Sequence, residues 1–223
     1  MPRAPVAAAI VMPAFSWTGA YVGVQAGYGW GRNSGTACDF TRTFCNPYSG
    51  SVSGAVFGGH AGYNYQINQM VLGLEADLEY NAGRTASTHV MANFGLTLVN
   101  RVSGSIQGSL RGRLGVAFDR ALIYATGGLA FSRNSFDWWV PAGPIIVSYA
   151  RASVGWTLGA GVEFALTPDW TARLEYRYAN FAGTRFSSAV SNSDVTHKLD
   201  THTVRLGVSY RFSTGPSAVV ARY

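Results

Sequence analysis

The sequence predicts an all-β fold, an eight-stranded antiparallel transmembrane up-and-down β-barrel, on three observations. Segments of about ten or more residues alternate apolar with polar or small side chains, the period-2 signature of a strand. Charged residues make up 13% of the 223 and hydrophobic ones 48%, with 27 glycines, a composition low in charge for a soluble domain. Gly, Ser, Thr, Asn or Arg breaks every apolar run well short of the ~20 residues that a spanning helix needs, so a chain that crosses a bilayer crosses as strands.

The first strand, from Ala20, sets Ala20, Val22, Val24, Ala26, Tyr28 and Trp30 against Tyr21, Gly23, Gln25, Gly27 and Gly29. The second (53–66) sets Ala55, Phe57, Ala61, Tyr63 and Tyr65 against Gly54, Gly58, His60, Gly62 and Asn64. In the third (70–82), Leu72, Leu74, Ala76, Leu78 and Tyr80 alternate with Gly73, Glu75, Asp77, Glu79 and Asn81. The fourth opposes Ile106, Leu110, Leu114, Val116 and Phe118 to Gln107, Ser109, Arg111, Arg113 and Asp119. The fifth (121–132) differs less between faces: Ile123, Ala125, Leu129 and Phe131 oppose Tyr124, Thr126 and Ser132. The sixth sets Val154, Trp156, Leu158, Ala160, Val162, Phe164 and Leu166 against Ser153, Thr157, Gly159, Gly161 and Glu163. The seventh carries Trp170, Ala172, Leu174, Tyr176 and Tyr178 opposite Thr171, Arg173, Glu175 and Arg177. The eighth sets His202, Val204, Leu206, Val208, Tyr210 and Phe212 against Thr203, Arg205, Ser209 and Arg211.

Short turns at 67–69, 119–120 and 168–169 alternate with long polar stretches at 32–51, 83–104, 133–151 and 182–200, the asymmetry of periplasmic turns and external loops. The same alternation would suit a soluble lipocalin-like barrel with its apolar face inward. The ionic residues argue otherwise: Glu75, Asp77, Glu79, Arg111, Arg113, Glu163, Arg173, Glu175, Arg177, Arg205 and Arg211 share the non-apolar face. Turned inward they can cross-pair in a barrel whose bore is only wide enough for side chains to fill. The apolar face carries Tyr28, Trp30, Tyr80, Trp156, Trp170, Tyr176, Tyr178, Tyr210 and Phe212, suited to bilayer interfaces. The sequence thus favours a structural barrel plugged by charge; the alternative is a narrow porin for small solutes or ions.

Residues 1–15 read as a Pro/Ala-rich leader or signal remnant, 16–212 as the barrel and 213–223 as a C-terminal tail. Cys38 and Cys45, in a polar stretch, suit a loop disulfide in an oxidising compartment; two unpaired thiols is the other reading. The net charge of +6 is dispersed rather than gathered in a stripe, which argues against nucleic acid. The histidines lack metal-ligand spacing: His60 falls on the inner face, and His89, His197 and His202 in or beside loops. No cofactor is expected. Ser187, Ser188, Ser191, Ser193, Asp194 and His197 have hydrolase residue types without a motif to frame them, so no enzyme is expected. Trp138 and Trp139, beside Pro141 and Pro144, suit either a contact with protein or lipid or a place in the aromatic band. Arg32, Arg42, Arg84, Arg101, Arg133, Arg151, Arg185 and Lys198 are placed at the outer rim, where they can pair with lipopolysaccharide phosphates.

Five segments in this order, SWTGAYVG from Ser16, GLEAD from Gly73, RGRLG from Arg111, YATGGLA from Tyr124 and LEYRY from Leu174, resemble the outer-membrane immunogenic or porin-like small barrels of alphaproteobacteria. The resemblance implies an OmpA-like transmembrane barrel in the outer membrane of a Gram-negative bacterium, lipid and lipopolysaccharide neighbours, the barrel-assembly machinery as a partner in biogenesis, and surface antigenicity. Members of that group usually finish at the aromatic of the last strand, whereas here Phe212 is followed by 213–223, a stretch open to a protein partner or ending in its own aromatic, Tyr223.

Overall fold

The computed structural model describes residues 15–39, 45–91, 96–139, 145–188 and 193–212. Its strands are β1 (Gly19–Asp39), β2 (Cys45–Ile67), β3 (Met70–Met91), β4 (Leu96–Phe118), β5 (Ala121–Trp139), β6 (Ile145–Ala165), β7 (Trp170–Ser188) and β8 (Ser193–Phe212). Each pairs antiparallel with its chain neighbours, and β1 closes the barrel on β8 in register from Ala20↔Phe212 to Asp39↔Ser193. Closure satisfies the backbone groups that an open sheet edge would leave unpaired.

The short turns form where the sequence places them. Asn68 and Asp119 adopt φ of 54° and 51°, a left-handed conformation that short polar side chains tolerate. Between β6 and β7, Thr167 Oγ1 accepts hydrogen bonds from the backbone N–H groups of Asp169 (3.3 Å) and Trp170 (3.0 Å).

The opposite end differs from the expected long loops. Most of 32–51, 83–104, 133–151 and 182–200 is strand, including Cys38, Cys45, His89 and His197, and His202 lies just beyond, within β8. The rim cations Arg32, Arg84, Arg101, Arg133, Arg151, Arg185 and Lys198 also lie on strands, as do Ser187, Ser188, Ser193, Asp194, Trp138 and Trp139, while Arg42, Pro141, Pro144 and Ser191 lie outside the described residues. Period-2 patterning exists only where the two faces meet different solvents. At 31–39 and 81–89 polar and small residues take both parities, and the backbone ladder continues without a sequence signal. At about 3.3 Å per residue the 23 residues of β2 span roughly 76 Å, whereas crossing a bilayer takes about 9–11 residues.

Pairing also changes along the axis. Between β2 and β3 it stops at Val56↔Asn81, and between β6 and β7 at Gly155↔Phe181. The other hairpins continue to Cys38↔Cys45, Met91↔Leu96, Trp139↔Ile145 and Ser188↔Ser193. Among the described residues, the barrel thus divides at its long-strand end into two four-stranded sheets, β3-β4-β5-β6 and β7-β8-β1-β2.

In the closed part, polarity is the inverse of a water-soluble protein's. Val24, Leu74 and Leu206 are 69%, 65% and 65% exposed on the outer wall, while Glu75 and Arg111, inside, are 1% and 0% exposed. The outward apolar positions recur on all eight strands as a continuous belt, far beyond the patch of a few hundred Å² that a soluble monomer tolerates. Only an apolar solvent around the wall makes that arrangement stable.

Candidate functional site

The lumen is filled in three layers. At the short-turn end Trp17 is fully buried against Val71, Ala117, Leu122, Tyr124 and Ala165, with Phe15 edge-on to its ring at 5.1 Å. The Trp17 backbone N–H donates to Gln66 Oε1 (2.7 Å) and the indole N–H to the Asp119 carbonyl (3.1 Å), so both N–H donors of the buried residue are paired. Gly19, at φ 141°, supplies the backbone turn that leads from this plug into β1. At the far end of the closed barrel, Ala130, Ala179, Phe181 and Leu199 form a second apolar cluster.

Between them lies the ionic layer. Glu75 accepts from Arg111, from Arg173 (2.5 Å) and from the Tyr21 hydroxyl (2.8 Å). Glu175, from the far side, accepts from Arg111 (2.5 Å), Arg205 (2.6 Å) and the Tyr124 hydroxyl (2.9 Å). Asp77 accepts from Arg111 (3.1 Å), Arg177 (3.0 Å) and the Ser109 hydroxyl. Glu79 takes Arg177, Arg205 (2.5 Å) and the Gln25 amide (2.6 Å), and Glu163 takes Arg113 and the Thr171 hydroxyl (2.5 Å). Arg113 also lies over the Tyr124 ring at 3.7 Å. Five carboxylates (Glu75, Asp77, Glu79, Glu163, Glu175) thus face five guanidinium groups (Arg111, Arg113, Arg173, Arg177, Arg205), and the formal charge of the layer is zero. Multiple partners per group offset the desolvation that isolated buried ions would suffer.

Arg211 departs from the expected network. It sits below the lowest carboxylate layer, where its guanidinium donates to the carbonyls of Ser16 and Pro168 (3.4 Å) and covers the rings of Phe15 (4.6 Å) and Trp17 (5.5 Å). The sequence placed Tyr21, Gln25, Ser109, Tyr124 and Thr171 on the inner face without assigning them to the ionic network, and it missed the Trp17 plug. Tyr21 and Gln25 share strand parity with the glycines of the inner face, a signal that was present but unspecific. His60, inside as expected from its parity, is paired with Ser209 Oγ at 2.8 Å.

The aromatic residues form two rims on the outer wall. Trp170, Tyr210 and Phe212 gather at the short-turn end, Trp170 and Tyr210 with centroids 5.3 Å apart and Tyr210 and Phe212 5.2 Å. Tyr28, Trp30, Tyr80, Trp156, Tyr176 and Tyr178 lie toward the other end, Trp156 and Tyr178 at 5.3 Å. Trp170 and Tyr178 are eight residues apart on β7, which at about 3.3 Å per residue and a tilt of roughly 40° separates the rims by about 20 Å along the axis. That is close to the ~25 Å apolar band of barrels that cross bilayers.

Cys38 and Cys45 are directly opposed in the β1–β2 register. Among the described residues, no group of three or more His, Cys, Asp or Glu side chains is placed to hold a metal ion.

Comparison with known proteins agrees with this geometry. Residues 4–212 match the family model described as outer membrane protein beta-barrel domain. The chain is 37% identical to the 31 kDa outer-membrane immunogenic protein of Brucella melitensis biotype 1, over 95% of this chain and 89% of that protein. It is 32% identical to the 22 kDa outer membrane protein of Rhizobium leguminosarum bv. viciae, over 91% and 81%. The structure of outer membrane protease OmpT from Escherichia coli aligns with 91% of this chain and 99% of that one, with a TM-score of 0.53 at 9% identity, a likeness of fold alone.

Proposed function

The chain belongs to the outer-membrane β-barrel family and resides in the outer membrane of a Gram-negative bacterium; from that premise we propose that it is a structural, surface-exposed barrel with a closed lumen and no catalytic role. The observation that carries this reading is the neutral ionic layer held between two apolar clusters, one around Trp17 and one around Phe181. A solute would have to displace paired charges and both clusters to pass. Planar-bilayer recording of the purified protein tests it: the closed reading expects a baseline current, and a stable conductance step would establish the narrow porin instead.

Within this reading residues 16–212 are the barrel, residues 1–15 a Pro/Ala-rich leader or signal remnant whose last residue, Phe15, packs into the barrel's plug, and 213–223 a tail. The barrel-assembly machinery recognises the last strand, with its outward Tyr210 and Phe212, and Cys38 and Cys45 form a disulfide between β1 and β2. The long-strand end faces the exterior and contacts lipopolysaccharide through cations at its rim. Arg32, Arg133 and Lys198, all exposed, support that contact. Trp138 and Trp139, the last residues of β5, contact a protein partner or lipid.

A further inference from the structure

One part of the outer wall is built differently from the rest. Trp30 of β1, His202 of β8 and Tyr178 of β7 stand in one register row. Trp30 stacks on the imidazole at 5.8 Å and 13°, Tyr178 lies 5.1 Å from it, and Tyr176 shares a 2.7 Å hydrogen bond with His202 Nδ1. This bond fixes the ring. A histidine held on the apolar wall between three aromatic rings is not needed for a lipid interface.

The next row outward is Arg32, Asp200 and Asn180. Asp200 Oδ1 accepts from the Tyr178 hydroxyl (2.8 Å) and the Asn180 amide (2.5 Å), so the carboxylate is engaged by neutral donors while Arg32 stays exposed. Lys198, also exposed, stands one row further out. Rows two residues apart are about 7 Å apart along a strand. Inward of the aromatic row the wall continues with exposed Val204 and Leu206.

The column therefore reads, from hydrocarbon depth outward, aliphatic, ring platform, cations. We propose that this face of β7, β8 and β1 docks one phosphate-bearing glycolipid of the outer leaflet. Acyl chains lie on Val204 and Leu206, a sugar ring packs on the Trp30–His202 platform, and a phosphate accepts charge-assisted hydrogen bonds from Arg32 and Lys198. Among the described residues, two cations stand beside a single engaged carboxylate, which favours an anionic headgroup over a zwitterionic one. The inference rests on the reading that the long-strand end contacts lipopolysaccharide, and narrows it to one site.

Native mass spectrometry of the full chain in zwitterionic micelles, titrated with bis-phosphorylated lipid A, dephosphorylated lipid A or inorganic phosphate, tests it. R32Q/K198Q and W30L should each bind bis-phosphorylated lipid A about tenfold more weakly, since each removes contacts worth at least one such factor. R120Q, in the short turn between β4 and β5 at the other end of the barrel, should bind as the parent does, and dephosphorylated lipid A should bind the parent as weakly as the phosphorylated lipid binds R32Q/K198Q. Heat-modifiable gel migration verifies that each variant is folded. Parent-like binding by R32Q/K198Q would overturn the site and leave the general contact standing. No binding of lipid A by the parent would overturn both. Displacement by millimolar inorganic phosphate would show a simple anion site and overturn the glycolipid assignment.

Discussion

Glu175→Gln is the sharpest perturbation of the ionic layer, because it changes charge with little change in volume. Glu175 is fully buried and accepts from Arg111 at 2.5 Å, Arg205 at 2.6 Å and the Tyr124 hydroxyl at 2.9 Å. Four carboxylates would then face five guanidinium groups in a sealed space. Breaking a buried pair costs about 3–5 kcal/mol when a charge is left unmatched. Here Arg111 keeps Glu75 and Asp77, and Arg205 keeps Glu79 at 2.5 Å, so the surplus charge is shared and the lower end, about 3 kcal/mol, is expected. Adding Arg205→Met restores the balance at four against four. The double variant should therefore be more stable than the sum of the two single losses predicts, with a coupling of about 1–3 kcal/mol. Urea unfolding in lipid vesicles, followed by the folded and unfolded bands of unheated gel samples, measures all four corners of the cycle. A Glu175→Gln barrel within about 0.5 kcal/mol of the parent, or strictly additive losses, would refute the view that neutrality of the layer matters.

Two further outcomes follow from the ends of the barrel. Trp17→Ala empties the plug at the short-turn end and should cost about 3–5 kcal/mol in the same unfolding assay, and a loss below about 1 kcal/mol would mean that the plug is not part of the packed barrel. Oxidised protein should yield a Cys38–Cys45 cross-linked peptide on non-reducing digestion, and reduction should lower stability by about 2–3 kcal/mol for so short a closed loop; free thiols in protein taken from the cell envelope would exclude the bond.

Much of the barrel wall was legible because a strand between two solvents writes its orientation into every second residue. Leu72 to Tyr80 against Gly73 to Asn81 needs no other information. The length of the strands was not legible, for the same reason: past Trp30 or Tyr80 both faces are polar, and 32–51 looks like loop although β1 and β2 stay paired to Cys38↔Cys45. The membership of the ionic layer followed from parity, but its wiring did not. That Arg111 bridges Glu75 on the adjacent strand and Glu175 across the lumen depends on barrel stagger, which no single strand encodes. Arg211 shares the parity of Arg205 yet lies beyond the carboxylates, a matter of depth rather than of face. Trp17 precedes the first strand and belongs to no alternation, so nothing local marked it as a plug.

Why an ionic filling, when an apolar one would satisfy the lumen at lower desolvation cost? An apolar interior would make the two faces of every strand alike. A one-residue slip in register, which moves each side chain to the other face, would then meet little penalty. With Arg111 and Arg113 on β4, and Arg173, Glu175 and Arg177 on β7, the same slip drives two or three ionised groups of one strand into hydrocarbon. Each arginine at the midplane of a bilayer costs a barrel about 2–4 kcal/mol, so a slip of β4 alone loses roughly 4–8 kcal/mol before any broken ion pair is counted. The stability that the network forgoes relative to an aliphatic core is returned as discrimination: only one register lets five carboxylates meet five guanidinium groups while Leu, Val and the aromatic rims face the membrane.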